Sequence, residues 1–278
     1  MKLKSSPLDK TVGVNGMKLH YLDWGNENAP DMFLLHGFSG HAHAWDFFAS
    51  SMCDRYHIVA LDQRGHGDSD WSSDGYNHSA YVADVESFVD RVGLRKFLLI
   101  GHSMGGMNAI AYAGRHTVEV DKLVIVDIGP DVAEAGIRRI KTASRDPKEE
   151  FDSPEDAITL ARSQNPRANP EMLAHRTVHA IKPLAGGKWT WKYDKKLRQP
   201  GALASVGASD LWDVLPRITC PTLIVRGELS DILSRETAEK MQRVVPNARL
   251  VEVAGAGHTV PLDNPEGFEE AVMEFLVP

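Results

Sequence analysis

The pentapeptide Gly101-His102-Ser103-Met104-Gly105 stands between two contrasting segments, and the arrangement of the whole chain can be worked out from it. The residues before it, Phe97-Leu98-Leu99-Ile100, form a short continuous apolar run, which is typical of a strand buried on both faces of a parallel sheet. Residues 106–113 are rich in small residues and helix formers. Glycines on both sides of Ser103 suit a tight turn, where a Cβ would collide with neighbouring backbone. The sequence therefore predicts a strand–turn–helix unit with Ser103 at the turn.

Composition restricts the class of protein. The chain has 278 residues, of which 42% are hydrophobic and 25% charged, as in ordinary globular proteins. The net charge is −7 without a basic stripe, so we expect no nucleic-acid partner. Residues 1–7 lack the apolar segment of a signal peptide, and no run of about 18 apolar residues predicts a membrane span. Cys53 and Cys220 are far apart and outside any C-x-x-C pattern, which favours reduced thiols in a cytoplasmic protein.

Strand and helix patterns alternate along most of the chain. Asn15-Gly16 between two strand-like segments predicts an antiparallel hairpin at the start. Further apolar runs predict strands at 32–35, 57–61, 97–100, 122–126, 222–225 and 249–253. Helical spacing or composition follows at 79–92, 234–245 and 265–276, and a short helix is expected to begin near residues 44–48. This alternation predicts an α/β fold with a mostly parallel, doubly wound sheet.

The pattern changes between residues 130 and 209, where strand-like runs are missing and helical patches occur at 132–145, 154–163 and 170–181. We therefore expect a core made of residues 1–129 and 210–278, interrupted by an inserted helical cap at 130–209. An insertion of this size beyond the carboxyl ends of the strands is suited to act as a lid over a ligand site.

Five motifs in this order resemble the α/β-hydrolase superfamily over nearly the whole chain. They are His36-Gly37-Phe38, Asp62-Gln63-Arg64-Gly65-His66-Gly67-Asp68-Ser69, the G-x-S-x-G pentapeptide, Gly227 to Asp231, and Gly257-His258. In that family the pentapeptide is the turn that exposes a nucleophilic serine. Within it, the chain resembles the small capped carboxylesterases and lactonases. Serine at position 103 argues against the relatives that use aspartate there, the dehalogenases and soluble epoxide hydrolases.

The resemblance implies a catalytic Ser–acid–His triad, because a serine hydroxyl needs a base to take its proton. His258, in a small-residue loop after the last predicted strand, is the expected base. Asp231 matches the usual position of the acid. Glu228 and Asp127 stay open as alternatives, since any carboxylate can orient the imidazole and some relatives carry the acid after the earlier strand.

The oxyanion hole is expected to consist of the backbone N–H groups of Phe38 and Met104. The substrate pocket is expected to include His36, Gly37, Trp189, Trp191, Leu233 and Val260. The two tryptophans alternate along the chain and could line a pocket from one face, although packing of the cap onto the core is an equal alternative.

Other histidines are assigned no catalytic role. His102 is interpreted as structural, because a side chain one residue along the turn faces away from that of Ser103, and His36 and His66 as braces of their loops. His175 and His179 lie one helical turn apart, a spacing that can bind a metal, but the sequence supplies no third ligand, and no metal site is predicted.

The predicted activity is therefore hydrolysis of small to medium carboxylic esters or lactones, with no cofactor. Two alternatives remain. One is a C–C bond hydrolase of vinylogous diketones, which would need an arginine for the substrate carboxylate. The other is a non-catalytic relative that binds a small molecule. The sequence leaves the oligomeric state open.

Overall fold

A computed structural model describes residues 3–143, 148–199 and 211–277. Its strands are β1 (Leu8–Val14), β2 (Met17–Asp23), β3 (Asp31–Leu35), β4 (His57–Leu61), β5 (Phe97–His102), β6 (Val120–Val126), β7 (Glu150–Phe151), β8 (Ile181–Pro183), β9 (Trp189–Trp191), β10 (Thr222–Gly227) and β11 (Ala248–Val253). Its α-helices are α1 (Asp46–Met52), α2 (His78–Val92), α3 (Met104–Arg115), α4 (Glu134–Ala143), α5 (Pro154–Gln164), α6 (Pro170–Ala180), α7 (Leu211–Val214), α8 (Arg235–Val244), α9 (Val260–Asp263) and α10 (Pro265–Leu276).

Eight strands form the main sheet in the order β1-β2-β4-β3-β5-β6-β10-β11. The pairs β1–β2 and β2–β4 are antiparallel, and the remaining neighbours are parallel. The hairpin predicted from Asn15-Gly16 is confirmed: both residues have positive φ, 47° and 78°, which a tight two-residue turn between twisted strands requires.

Helices cover both faces of this sheet. Alternating residues of β3 enter different cores, with Phe33 on one face and Met32 on the other, because successive side chains of a strand point to opposite sides. Helices α2, α3 and α8 pack on the first face, and α1 and α10 on the second. The predicted doubly wound α/β architecture is therefore confirmed, and both faces of the central strands are removed from water.

The chain between the neighbouring strands β6 and β10 contains the segment predicted as a cap, residues 130–209, parts of which lie outside the described residues. The three predicted helical patches correspond to α4, α5 and α6. The expectation that this segment lacks strands is wrong, because β7, β9 and β8 form a small antiparallel sheet. Strands of two or three residues are too short to produce a detectable alternation in the sequence.

This inserted segment contacts loops that follow the carboxyl ends of the core strands. The Arg176 carbonyl accepts a hydrogen bond of 3.0 Å from Nε2 of His41, after β3. The Asp194 amide donates to the Gly65 carbonyl, after β4, at 2.8 Å. The inserted segment therefore lies beside the sheet edge at which open α/β folds bind their ligands.

Candidate active site

Ser103 lies on a strained turn between β5 and α3. Its φ and ψ are 53° and −119°, a conformation that non-glycine residues adopt rarely and at a cost of about 1–3 kcal/mol. A Cβ on Gly105 would lie 2.4 Å from the Leu35 carbonyl oxygen, and one on Gly101 would lie 2.3 Å from the Gly105 carbonyl oxygen. The two glycines are therefore needed because backbone approaches backbone here, as the sequence predicts.

His258 faces this serine. Its Nε2 lies 2.9 Å from Oγ of Ser103, so the hydroxyl can donate its proton to the ring. The loop that carries His258 is held by Asp263, whose carboxylate accepts a hydrogen bond of 2.8 Å from the Gly257 amide. The structure thus brings together the predicted nucleophile and the predicted base, which are 155 residues apart.

The carboxylate on the other side of the imidazole belongs to Asp127. Its Oδ2 lies 2.8 Å from Nδ1 of His258, and its side chain is fully buried. Asp127 also accepts hydrogen bonds from the Gly227 amide and the Ser230 hydroxyl. A buried carboxylate with these donors is held rigidly, and its position fixes the proton of His258 on Nδ1.

The prediction of Asp231 as the partner of this histidine is wrong in the structure. Asp231 forms a two-pronged ion pair with Arg139 of α4, with N···O distances of 2.6 and 2.9 Å. Glu228, the other alternative, accepts a hydrogen bond from the Gly255 amide. The loop after β10 therefore presents its Ser230 hydroxyl to Asp127, while its two acidic side chains are bound elsewhere.

His102 contributes more than its sequence position suggests. Its Nε2 donates a hydrogen bond of 2.9 Å to the backbone carbonyl of His258, and the two rings lie 4.9 Å apart. Burial, followed by the nearby His258, lowers the pKa of His102 well below its usual value, so it stays neutral. It is a brace for the loop of the base, a role that adjacency to Ser103 could not indicate.

The loop after β3 packs directly on the turn that carries Ser103. A Cβ on Gly37 would lie 3.1 Å from Cβ of Ser103 and 2.8 Å from the His102 ring, so only glycine allows this approach. Phe38, the next residue, packs with Met104 in one apolar cluster. Met104 is the first residue of α3, where backbone N–H groups have no acceptor within the helix.

A buried polar network holds this loop in place. The backbone N–H of Gln63 donates to Nε2 of His36, and the side-chain amide of Gln63 donates to the His36 carbonyl at 2.7 Å. Asn108 of α3 in turn donates to the Gln63 side chain at 2.6 Å. Burial lowers the pKa of His36 to about 4 and that of His66 to about 3, so both rings act as neutral braces.

The residues predicted to line a pocket separate into two groups. Trp191 stacks on Tyr193 at 5.9 Å and packs against the apolar cluster that contains Met104 and Phe38. Both tryptophans also pack within the inserted segment against the cluster that contains Phe151, as the alternative of cap packing expects, and the rings of Trp191 and Phe151 lie 5.0 Å apart. Gly37 packs on Ser103 itself, and Trp191 reaches the apolar cluster that contains Met104.

The remaining predicted pocket residues are part of the protein interior. Leu233 and Val260 are fully buried in the two main hydrophobic cores, and His36 is 1% exposed within the network described above. Leu233 lies two residues after Asp231, and Val260 lies two residues after His258. Each therefore anchors its loop to the core by burying an apolar side chain.

Arg176 of α6 is a cation that the sequence did not single out. Burial lowers the pKa of its guanidinium, and the charge of Asp263 opposes that shift. Burial is also the main reason why the pKa values of His36, His41 and His102 are low, and the positive charge of Arg176 lowers them further. Within the described part of the chain, the backbone carbonyl of Arg176 accepts from His41 and no hydrogen bond or ion pair engages its guanidinium. A partly buried cation of this kind, close enough to affect His36 and His102, is suited to bind an anionic group of a ligand.

Two groups of residues in the described ranges could hold a metal, and neither includes Ser103, His258 or Asp127. One consists of His20, Asp62 and Asp68, where Asp62 already accepts two backbone N–H groups, from Ala42 and Asp68. The other, on α6 and the start of α1, is considered below. No helix among residues 3–143, 148–199 and 211–277 is long and apolar enough to cross a bilayer.

Comparison with known proteins agrees with the fold. Residues 32–271 match the model of the alpha/beta hydrolase family, so the chain belongs to that family. It is similar to 3-hydroxybutyrate-oligomer hydrolase of Cupriavidus necator, with 30% identity over 263 residues that cover 89% of each chain. It is also similar to 2-(acetamidomethylene)succinate hydrolase of Mesorhizobium japonicum, with 25% identity covering 97% of this chain and 95% of the relative.

The fold of a solved E-2-(acetamidomethylene)succinate hydrolase superposes on this one with a TM-score of 0.90, 24% identity and coverage of 98% and 100% of the two chains. The described residues therefore share that protein's fold, and the coverage of 98% means that the match extends into the inserted segment.

Proposed function

We propose that this chain is a serine hydrolase of small to medium carboxylic esters or lactones and works through an acyl-enzyme on Ser103. The observation that carries the proposal is the hydrogen-bonded series from Ser103 Oγ through His258 to Asp127, with steps of 2.9 and 2.8 Å. These are the distances at which a base can take the serine proton and a carboxylate can orient that base.

In the first half of the reaction, Ser103 Oγ attacks the carbonyl carbon while its proton passes to Nε2 of His258. The oxyanion that forms accepts hydrogen bonds from the N–H groups of Phe38 and Met104. The imidazolium is stabilised by Asp127 and then donates its proton to the leaving alcohol as the C–O bond breaks. Loss of one oxyanion donor typically lowers kcat by about 10²–10³.

In the second half, water replaces the alcohol. His258 takes one proton from the water as its oxygen attacks the acyl carbon, and the same two N–H groups hold the second oxyanion. The proton returns to Ser103 Oγ when the acid product leaves. These steps need no cofactor, because the chain's own side chains move every proton.

The surroundings of Ser103 support a substrate that carries a carboxylate. Arg176 supplies a partly buried positive charge, and the cluster with Phe38, Met104 and Trp191 supplies an apolar surface. Two relatives are named for compounds that bear a carboxylate besides the bond to be cleaved. We propose that the segment 130–209 acts as a cap and places Arg176 over the acyl group.

Hydrolysis of a C–C bond in an acidic vinylogous diketone is the second candidate, and Arg176 is the observation that favours it. Such an enzyme would use the same Ser103 and His258 and would need the cation for the substrate carboxylate. Assays with a diketone substrate and with a hemisuccinate ester distinguish the two candidate functions, since only a C–C bond hydrolase is expected to turn over the diketone.

The proposal is tested with p-nitrophenyl acetate, p-nitrophenyl butyrate and Ser103→Ala. We expect the variant to lose at least about 10³-fold in kcat. Ser163→Ala, an exposed serine on α5, is the matched control and should retain full activity. A phosphonate probe should add to Ser103 of the wild type, detected by peptide mass. Equal turnover by wild type and Ser103→Ala would overturn the proposal and favour a binding protein.

A further inference from the structure

Four potential metal ligands meet where the inserted segment contacts the core. His43 lies in a 3-10 turn, residues 42–45, and Asp46 begins α1 directly after it. His175 and His179 lie one turn apart on α6, and their rings are 4.6 Å from each other. One donor atom from each of the four residues lies within 4.8 Å of all the others. The core segment 43–46 contributes two ligands and α6 contributes the other two, and the sequence could show a suitable spacing only for α6.

Asp46 is the centre of this cluster. Its Oδ2 accepts hydrogen bonds from Nε2 of His175 at 2.6 Å and from Nδ1 of His43 at 2.9 Å. The side chain is only 2% exposed, and its Oδ1 is buried without a hydrogen-bond partner among the described residues. A buried carboxylate oxygen without a donor is costly, and a bound cation would satisfy it.

The ring of His179 completes the group without a hydrogen bond to Asp46. It stacks on His43 with centroids 3.8 Å apart and an interplanar angle of 25°. One of its ring nitrogens lies within 4.8 Å of a donor atom on each of the other three residues, so it can share a metal ion with them.

We propose that His43, Asp46, His175 and His179 form a Zn²⁺ site that joins the inserted segment to the core. Three imidazole nitrogens and one carboxylate oxygen are a donor set that zinc binds in tetrahedral geometry. With bonds of about 2.0–2.1 Å, the donors of such a site lie roughly 3.3 Å apart. To bind a metal, the distances from Asp46 to His175 and His43 must lengthen slightly, and the longer distances between the other donor atoms must shorten. Rotation of the partly exposed histidine side chains permits both changes.

The site is separate from the one that carries Ser103, and its effect on catalysis would be indirect. Arg176 follows His175 on α6, so a metal held by both α6 and α1 fixes the helix that positions this arginine. Four protein ligands leave no open position for substrate or water, which is characteristic of structural zinc. The metal is therefore expected to stabilise the contact between the two parts and to take no part in bond cleavage.

Binding is measured on the full chain after EDTA treatment and dialysis, by titration with Zn²⁺ against a competing chelator. We expect one equivalent to bind and the melting temperature to rise with Zn²⁺. Co²⁺ in place of Zn²⁺ should give the intense visible absorption of a tetrahedral site. The double variant His175→Gln/His179→Gln should bind Zn²⁺ about tenfold more weakly or worse and lose the thermal shift.

Two controls make the outcome specific. His116→Gln removes a partly exposed histidine that contacts Glu86 and Glu119, and it should bind zinc like the wild type. His258→Gln should also bind normally, because that histidine belongs to the other site. If the double variant does not fold by circular dichroism, Asp46→Asn, which keeps the side-chain volume, replaces it.

Three results would overturn the proposal. They are absence of saturable binding at about 1 mM Zn²⁺, loss of binding in His258→Gln with retention in the double variant, and a cobalt spectrum typical of six-coordinate, water-bound metal. The assay does not depend on turnover, so its result is independent of the proposed esterase activity.

Discussion

Nδ1 of His258 donates its proton to Asp127, which lies at the carboxyl end of β6, 131 residues earlier in the chain. The loop after β10, where a second acidic residue is available, lies next to it in the sheet but contributes a hydroxyl and an amide. Because β6 and β10 are parallel neighbours, either loop could have supplied the acid. The pairing of Asp231 with Arg139 and the burial of Asp127 decide between them.

Replacing the two aspartates separately tests this assignment. We expect Asp127→Asn to lower kcat by about 10³–10⁴-fold, because an amide holds the imidazole in the wrong tautomer and cannot stabilise the imidazolium. Asp231→Asn should change kcat less than about tenfold, since it breaks an ion pair with an exposed arginine. Steady-state kinetics with p-nitrophenyl butyrate give the comparison. A severe loss in Asp231→Asn with near-normal Asp127→Asn would contradict the structure.

The turn at Ser103 should not tolerate a side chain at Gly105. We expect Gly105→Ala to reduce stability by about 1–3 kcal/mol and to reduce kcat, because its Cβ would meet two backbone carbonyls, of Leu35 and His36, within 2.6 Å. Gly13→Ala in β1 is the matched control, since nothing lies within 4 Å of its Cβ. Urea denaturation measures both free energies of unfolding. Equal stability of the two variants would contradict the close packing.

Arg176 is expected to determine preference for acidic substrates. Arg176→Met should lower kcat/KM about 10–100-fold for an ester that carries a carboxylate, because a charge-assisted hydrogen bond is lost. Turnover of a neutral ester of equal length should change little, and Arg176→Lys should restore part of the loss. Arg162→Met, an exposed arginine on α5, is the control. An equal loss for both esters would assign Arg176 a structural role alone.

Acid should destabilise the protein through its buried neutral histidines. The pKa of His36 is lowered to about 4 and that of His66 to about 3, so the unfolded chain binds more protons than the folded one below the ordinary histidine pKa of about 6.5. Stability is therefore retained above about pH 6.5 and falls as the pH decreases towards 4. The free energy of unfolding, measured in urea from pH 8 to pH 4.5, gives the number of protons taken up.

His66→Gln isolates one of these groups. Its amide can keep the hydrogen bond that the His66 ring donates to the Arg64 carbonyl, but it does not titrate. Proton uptake on unfolding near pH 5 should therefore fall by about one. An unchanged slope would mean that His66 is protonated in the folded protein.

Much of the core could be predicted because its signals are local. Asn15-Gly16 adopts the positive φ angles of a hairpin turn, and the apolar runs became buried parallel strands. In the pentapeptide around Ser103, Gly101 is needed for a contact within the strand–turn–helix unit, whereas Gly105 is needed because Leu35 and His36 pack against it. Ser103 and His258, which the sequence predicts as a pair, are within hydrogen-bond distance of each other, because each stands in a turn or loop that follows a strand.

The inserted segment was predicted less completely. Its helices repeat apolar residues and could be recognised, but β7, β8 and β9 depend on pairing with one another, and segments of two or three residues carry no periodicity. Trp191 and Trp189 alternate in sequence and both pack against the cluster that contains Phe151, but only Trp191 of the two also packs against the cluster that contains Met104. This difference depends on how β9 lies over the core.

By itself, the sequence determined the α/β architecture, the turn at Ser103 and the loop that carries His258, because each rests on propensities and contacts of residues close in the chain. Only the tertiary structure decided that Asp127 is hydrogen-bonded to His258, that the charge of Arg176 acts on His36 and His102, and that His43 and Asp46 join His175 and His179. Each of these contacts joins residues that are far apart in the chain. Such residues become neighbours only when distant segments pack together, so the sequence by itself could not show which of them would pair.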